Sequence, residues 1–112
     1  MTRKISDLAA KALINKRKFT RSNTKVYKDE FGVWVMSLHG YIIGKNDEYG
    51  LEFNFKGWAT RTTIDRIEAF SKYTFNIHHG SLYHNKLYVN EYKWYRVDSF
   101  DEDLKDENVC KR

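Results

Sequence analysis

Three histidines, His78, His79 and His84, lie close together in the sequence and are the first candidates for metal chemistry. A metal site needs ligands that converge on one point, with spacings such as H-x-x-x-H or C-x-x-C. Neighbouring strand residues point to opposite faces, so His78 and His79 are an awkward pair of ligands. Neither spacing occurs, and the single cysteine, Cys110, lies in a polar segment. We therefore expect polar hairpin residues here, with no bound metal and no cofactor.

Nucleophilic and acid–base catalysis have equally few candidates. Ser37 and His39 lie two residues apart on a predicted strand, hence on one face, but the sequence places no third group beside them. Four carboxylates could form an acid–base pair, and all are as easily turn, surface or capping residues: Asp47, Glu48, Glu52 and Asp65. No G-x-S-x-G elbow, P-loop or G-x-G-x-x-G is present. We expect a protein that is not an enzyme and that acts by binding.

Positive charge is concentrated at the N-terminal end. The formal net charge is +5, whereas residues 1–25 hold eight basic groups against one acid. Basic side chains neutralise phosphates and exposed aromatic rings stack on unpaired bases, so the pattern favours a nucleic acid or a nucleoprotein complex as partner. A solvated helix face, partly balanced by the acids of residues 98–112, explains the charge as well. The residues predicted to bind nucleic acid or a partner are Lys11, Lys16, Arg17, Lys18, Arg21, Lys25, Arg66, Tyr88, Tyr92 and Trp94.

Two other classes of binding protein stay open. No RNP motif, helix-turn-helix signature or zinc knuckle is present, and an aromatic sheet face rimmed by charge equally describes a protein interface. The chain would then inhibit a host enzyme or defence protein. Edge strands could also pair with a partner or with a second copy of the chain, giving a homodimer. A more remote alternative is a small anionic ligand, such as a nucleotide, in a basic pocket.

Composition limits the class of protein. A chain of 112 residues with 41% hydrophobic and 16% aromatic residues is typical of one folded domain. Its apolar runs are far too short to span a membrane, and no secretory signal is visible. The single cysteine cannot form an internal disulfide. We therefore expect a protein of the reducing host cytoplasm, without a membrane partner.

Hydrophobic periodicity predicts the elements. An apolar stripe at helical spacing favours an N-terminal basic helix over residues 4–17, and Thr62 or Thr63 with Asp65 resembles the cap of a second helix. Period-two alternation and turn residues predict a meander of strands near 24–28, 32–38, 41–44 and 50–56, followed by strands near 74–78, 81–84 and 86–90. Residues 98–112 lack periodicity and are expected to be an acidic, flexible tail.

These elements predict an α+β domain over residues 1–97. The economical assembly is one antiparallel sheet of about five to six strands, a meander plus a C-terminal hairpin, with both helices packed on one face. The other face is then open. The aromatic residues that could contribute to it are Trp34, Tyr41, Tyr88, Tyr92, Trp94 and Tyr95.

Three segments, in this order after Ser22-Asn23-Thr24, resemble a family of small tailed-phage proteins without an assigned activity. Residues 38–43, LHGYII, resemble L-H-G-N-x-I; residues 57–69, GWATRTTIDRIEA, resemble G-W-x-T-x-T-T-R-x-R-L-N-A; residues 88–94, YVNEYKW, resemble Y-x-N-G-x-x-W. The chain departs from these elements at Tyr41, Ile64, Glu68 and Glu91. The resemblance covers about residues 23–94.

The resemblance implies a phage origin and an accessory role. Small phage proteins of this kind bind a host enzyme, a defence complex or nucleic acid. Most matching residues also have structural explanations, such as a turn at Gly57-Trp58 and a helix cap at Thr62 or Thr63. Arg66 is the exception, since an arginine on a helix surface has no evident structural duty, and it joins the predicted binding residues for that reason.

Overall fold

The computed structural model describes the backbone of residues 2–109 and the side chains of residues 4–109. In chain order the elements are α1 (Thr2–Ile14), β1 (Phe19–Arg21), β2 (Thr24–Lys28), β3 (Trp34–Leu38), β4 (Tyr41–Asp47), β5 (Gly50–Phe53), α2 (Arg61–Ser71), β6 (Asn76–His78), β7 (Ser81–His84), β8 (Leu87–Tyr88), β9 (Tyr95–Arg96) and α3 (Phe100–Val109). The predicted α+β class is confirmed.

Six strands form the main sheet in the order β1-β2-β3-β4-β5-β9, and every neighbouring pair is antiparallel. The predicted meander is therefore present. The C-terminal hairpin does not join it: β6, β7 and β8 form a second, three-stranded sheet. Strands β1 and β9 were not predicted, because segments of three and two residues are too short to display an alternating pattern.

Helices α1 and α2 pack on one face of the main sheet, as predicted. Gly44 of β4 lies beneath both: a Cβ atom there would lie 2.8 Å from Cζ of Phe70 in α2 and 3.3 Å from Cδ2 of Leu13 in α1. The missing side chain lets both helices approach the sheet closely. Cross-strand partners share a face of an antiparallel sheet, so Met36 and Phe53, the partners of Gly44, face the helices too.

The opposite side of the main sheet is called the outer face. One row across it consists of Tyr27, Val35, Lys45, Glu52 and Arg96. Helix α3 packs on the helix side, where the ring centroid of Phe100 lies 5.1 Å from that of Phe53. The sequence predicts an open face here, but the row is not open along its whole length: Val35 is fully buried and Glu52 is only partly exposed.

Helix α1 ends at Ile14, three residues before the predicted boundary. The amide of Arg17 donates to the carbonyl of Ala12, and the amide of Lys16 donates to the carbonyl of Leu13. Lys16 adopts a left-handed conformation with φ 55°. This is a Schellman-type helix end with lysine in the place that glycine commonly takes. The basic residues 16–18 are therefore a turn, and the predicted helix over 4–17 was too long.

Helix α2 is capped two or three residues earlier than predicted. Thr60 is the N-cap, and its Oγ1 accepts a hydrogen bond from the Thr63 amide at 3.2 Å. Satisfying one of the free amides of the first turn is the ordinary work of a capping threonine. The expected cap at Thr62 or Thr63 was wrong because several threonines in a row offer equivalent local patterns.

The acidic segment is a helix over residues 100–109, and the predicted flexible tail was wrong there. Phe100 and Leu104 are fully buried, one turn apart on the same side of α3. Asp101, Glu102 and Asp103 lie in the first turn, where negative charge stabilises a helix. Two apolar residues were too few to show periodicity in the sequence. Residues 110–112, including Cys110, lie outside the described residues.

Candidate nucleic-acid interface

A shallow groove of about 640 Å³ runs along the outer face at the β1 edge of the main sheet. We call it the basic groove. The residues that line it are Lys18, Thr20, Ser22, Asn23, Lys25, Val26, Tyr27, Ser37, His39 and Gly40. Two lysines, several hydroxyl and amide groups and no acid form this lining, which is the set of donors that phosphate oxygens accept from.

A second groove, of about 440 Å³, lies between the end of α1 and strand β1. We call it the helix groove. Its lining consists of Leu8, Lys11, Ala12, Asn15, Arg17, Lys18 and Phe19, again without an acid. Lys18 lines both grooves. The two grooves therefore form one basic surface that wraps around the edge strand β1.

The six cations predicted from the N-terminal charge are all exposed: Lys11, Lys16, Arg17, Lys18, Arg21 and Lys25. Four of them line the two grooves, and Arg21 lies at the end of β1 opposite Thr24. Lys16 instead lines a separate groove with Phe31 and Tyr49. Among the side chains of residues 4–109, none of the six forms an ion pair with an acid.

Arg66 is not part of this surface, contrary to the prediction. Its side chain is 2% exposed, and it donates hydrogen bonds from Nε to Thr24 Oγ1 at 2.9 Å and from Nη1 to Ser6 Oγ at 2.6 Å. Burial lowers the pKa of its guanidinium. The sequence placed Arg66 on the helix surface because no helical pattern reveals that β2 and α1 meet it there. Its role is to join three elements.

The predicted aromatic residues do not form one patch. Tyr88 lies in the small sheet, where its ring contacts Tyr83 and its amide bonds to Asn108. The Trp94 ring makes cation–π contacts with two lysines: the Nζ atoms of Lys45 and Lys56 lie 4.4 and 5.0 Å from its centroid. Tyr92 is 78% exposed. Of the other candidates for the open face, Trp34 packs against the core and Tyr95 is buried in it.

A different set of rings lies beside the basic groove, and we call it the ring cluster: His39, Tyr41 and Trp58. The centroid of the Trp58 ring lies 5.2 Å from that of His39 and 6.0 Å from that of Tyr41. His39 also lines the basic groove, so the two features are continuous. Trp58 also packs against the hydrophobic core. The sequence signalled only a turn at Gly57-Trp58, and the position of that turn against His39 depends on tertiary structure.

The histidines near the C-terminal hairpin divide into two kinds. His78 is the last residue of β6 and His79 lies in the turn that follows, and both are exposed. His84 is buried, with Nδ1 2.7 Å from the carbonyl oxygen of Thr74 and Nε2 3.3 Å from Oδ1 of Asp101. It therefore bridges the small sheet and α3. Within the described residues, no group of three or more histidine, cysteine, aspartate or glutamate side chains could hold a metal ion.

Two of the candidate carboxylates, Asp47 and Glu52, meet on the outer face beside Arg96. Arg96 Nη1 lies 3.8 Å from Asp47, and Nη2 lies 3.5 Å from Glu52. Burial and a hydrogen bond with Asp47 raise the pKa of Glu52. Burial would also raise the pKa of Asp47, but hydrogen bonds from the Tyr49 amide and from Glu52, with the charge of Arg96, hold it below its ordinary value. Glu52 therefore favours its protonated form, and Asp47 favours its ionised form.

Ser37 and His39, considered above as a nucleophile and base, have separate environments. Ser37 is buried within β3. His39 is exposed in the turn after it, and its Nε2 lies 3.0 Å from Nδ2 of Asn23. Both nevertheless line the basic groove.

A comparison with protein-family models identifies a family that this chain matches. The model described as Kyanoviridae Gp96 protein matches residues 2–110, nearly the whole chain. The chain belongs to this family. The phage origin that the resemblance implied is thereby confirmed, while the family's description states no activity. Searches of curated proteins and of solved structures find no match.

Membership of the Kyanoviridae Gp96 family thus leaves the site to be interpreted from its own geometry. Among the described residues, no helix is both long and apolar enough to cross a membrane. The features to explain are the two acid-free grooves with their cations and the ring cluster that continues one of them.

Proposed function

We propose that this phage protein binds nucleic acid along the basic groove and the helix groove. The observation that carries the proposal is the set of exposed cations, without ion pairs among residues 4–109, around two grooves whose linings contain no acid. Cations on an ordinary solvated face alternate with acids that balance them. Here the field of several lysines and arginines adds up over one continuous surface, which attracts a polyanion.

Asp7 lies one turn before Lys11 in α1 and is the one acid of residues 1–25. Two groups of acids lie away from this surface. Asp47 and Glu52 are held by Arg96 towards the β9 edge of the sheet, the opposite edge from β1. Asp101, Glu102 and Asp103 begin α3, which packs against β8 and β9. The chain therefore presents a basic edge and an acidic edge. This separation favours a partner whose negative charge extends along the β1 edge.

The shape of the basic groove favours a polymer over the small anionic ligand considered from the sequence. The groove is open to solvent along the sheet, and both of its lysines, Lys18 and Lys25, are exposed. A small anion is held where several donors meet in an enclosed pocket. A nucleic acid strand needs only successive phosphate contacts along an open path.

A purely structural explanation of the cations is also available. Cations on or beside an edge strand, such as Arg21 on β1 and Lys18 just before it, prevent the strand from pairing with another sheet. The two explanations predict different results. Neutral residues in place of the cations weaken nucleic-acid binding if the cations contact phosphates, but promote self-association without affecting binding if they only guard the edge.

The test is a titration of labelled DNA of about 20 nucleotides, single-stranded and duplex, followed by fluorescence anisotropy. Affinity should fall roughly tenfold or more between about 50 and 200 mM salt. Changing Lys18 and Lys25 together to glutamine should weaken binding and reduce the slope of log affinity against log salt by about 2, one for each lost phosphate contact.

The matched control changes two exposed lysines of the small sheet and α3, Lys86→Gln with Lys105→Gln, which alters net charge equally. It should leave the affinity nearly unchanged. Equal losses in the control pair would show that net charge, not this surface, determines binding. Absence of binding by the wild-type protein at low salt, or binding that is insensitive to salt, would refute the proposal.

A second function, inhibition of a host protein through a protein interface, is favoured by a separate observation. Phe31 and Tyr49 are 81% and 69% exposed and line one groove at the end of the strands away from the ring cluster. Exposed aromatic residues are typical anchors of protein interfaces. A pull-down from host lysate with nuclease treatment tests this function: a partner retained after nuclease and lost in Phe31→Ser with Tyr49→Ser supports it.

A further inference from the structure

The ring cluster is built at the end of the main sheet by a tight turn. His39 and Gly40 have φ of 52° and 85° and connect Leu38 to its cross-strand partner Tyr41. Two positive φ values are the mark of a hairpin turn that follows the twist of the strands. The turn positions the His39 ring at the end of the basic groove, where Asn23 contacts it, and the Tyr41 ring beside Trp58.

The other side of the cluster is formed by the loop after β5. Gly57 has φ 72°, its amide donates to the carbonyl of Glu91, and a Cβ atom at this position would clash with Cε1 of Tyr92. The Tyr92 ring thus lies directly on the Gly57 backbone. This arrangement brings Tyr92, from a loop far along the chain, against the residue that precedes Trp58.

Between these elements lies a groove of about 400 Å³ lined by Tyr41, Lys56, Gly57 and Trp58, which we call the ring groove. The Tyr41 side chain is 58% exposed and that of Tyr92 is 78% exposed, whereas Trp58 is half-buried behind them. Large rings that are left this exposed bury little apolar surface and so contribute little to the stability of the fold. Lys56 is the one charged residue of the lining, and it is a cation.

We propose that the ring groove takes an unpaired base of a single-stranded nucleic acid whose phosphates follow the basic groove. This inference rests on the proposed function and names its substrate class. His39 connects the two grooves: it lines the basic groove and its ring lies against Trp58. A strand leaving the basic groove past His39 meets exposed ring faces, on which bases of any sequence can stack.

A single strand fits this arrangement better than a duplex. Bases inside a duplex already stack on each other and are paired, so their faces are not free to contact Tyr41 or Tyr92. A protein partner would also find aromatic anchors here, but it would have no use for the acid-free basic groove that continues the ring groove. Exposed rings beside the lysines of the basic groove, with Lys56 in the ring groove, are the combination that single-stranded nucleic acid requires.

The test compares a single-stranded oligothymidine with an abasic deoxyribose–phosphate strand of the same length, in the full chain. The two strands carry the same phosphates, so only a base contact distinguishes them. Wild-type protein should bind the oligothymidine about tenfold more tightly. Tyr41→Ala should remove most of this preference and leave the affinity for the abasic strand unchanged. Tyr92→Ala, a second variant at the exposed ring that packs on Gly57 of the lining, should reduce it too.

The control is Tyr49→Ala, which removes an equally exposed tyrosine at the opposite end of the strands and should keep the full preference. Lys18→Gln with Lys25→Gln should weaken binding to both strands equally. Equal affinity of the wild-type protein for both strands would overturn this inference and leave the proposed function standing. Absence of binding to either strand would overturn the proposed function itself. A preference that survives in both Tyr41→Ala and Tyr92→Ala would also overturn the inference.

Discussion

The Nε atom of Arg66 donates a hydrogen bond to Thr24 Oγ1 at 2.9 Å and so joins helix α2 to strand β2 beneath the helices. Thr24 Oγ1 in turn donates to Oδ1 of Asn23, whose amide contacts His39 at the edge of the basic groove. A buried arginine therefore supports, through two intermediate residues, the wall of the proposed binding surface. Its contribution is positional.

Arg66→Met should destabilise the fold by about 3 kcal/mol, because the hydroxyls of Thr24 and Ser6 lose their buried donor. The free energy of unfolding in urea measures this loss. Arg61→Met, an exposed arginine at the start of the same helix, should change it by less than about 0.5 kcal/mol. If Arg66→Met is as stable as wild type but no longer binds nucleic acid, Arg66 belongs to the binding interface and its role is not structural.

Gly44→Ala should destabilise the fold by about 1–3 kcal/mol through overpacking, since its new Cβ atom would lie 2.8 Å from the buried ring of Phe70. Combining it with Phe70→Leu, which removes the end of that ring, should cost less than the sum of the two single changes. Thermal unfolding of the three variants measures the coupling. Strict additivity would mean that the helices do not press on Gly44.

Glu52 should make stability depend on pH in the range above its ordinary pKa of 4.5. Its pKa is raised in the folded protein by burial and by Asp47, so the folded state binds this proton more tightly than the unfolded chain does. The stabilisation is complete below the ordinary pKa and is lost as the pH rises through the raised value. Glu52→Gln, which is always neutral, should remove this decline in urea unfolding curves.

Asp47 affects the stability in a different pH range from Glu52. The pKa of Asp47 is lowered, so its contribution is present above its ordinary value of 3.8 and is lost as the pH falls through the lowered one. The two carboxyls therefore act in separate pH ranges. Glu48→Gln, an exposed neighbour, should keep the wild-type profile. A decline that persists in Glu52→Gln would assign it to another group.

Leu104→Ala should destabilise the domain by about 2–4 kcal/mol, because the side chain is fully buried beneath α3. Lys105→Ala, on the exposed side of the same helix, should have almost no effect. Calorimetric melting of both variants measures the difference. If the segment were a frayed acidic tail, the two changes would be equally neutral.

Some elements could be predicted because their signal is local. Strand β2 was expected at 24–28 and β7 at 81–84, which are their observed bounds, and the apolar stripe of α1 indicated its buried face correctly. Side chains in these segments alternate or repeat with the period of the element itself. The charge of the N-terminal quarter is likewise a property of composition, and its cations are exposed as expected.

What the sequence by itself determined is therefore the α+β class, the meander, the exposed basic segment and the resemblance to a phage family. Only the tertiary structure decided that Arg66 is buried, that Phe100 and Leu104 make α3 part of the domain, and that His39 meets Trp58 beside the basic groove. His39 and Trp58 are 19 positions apart in the sequence, and Arg66 and Ser6 are 60 apart. No local period encodes such contacts, because they depend on how whole elements pack.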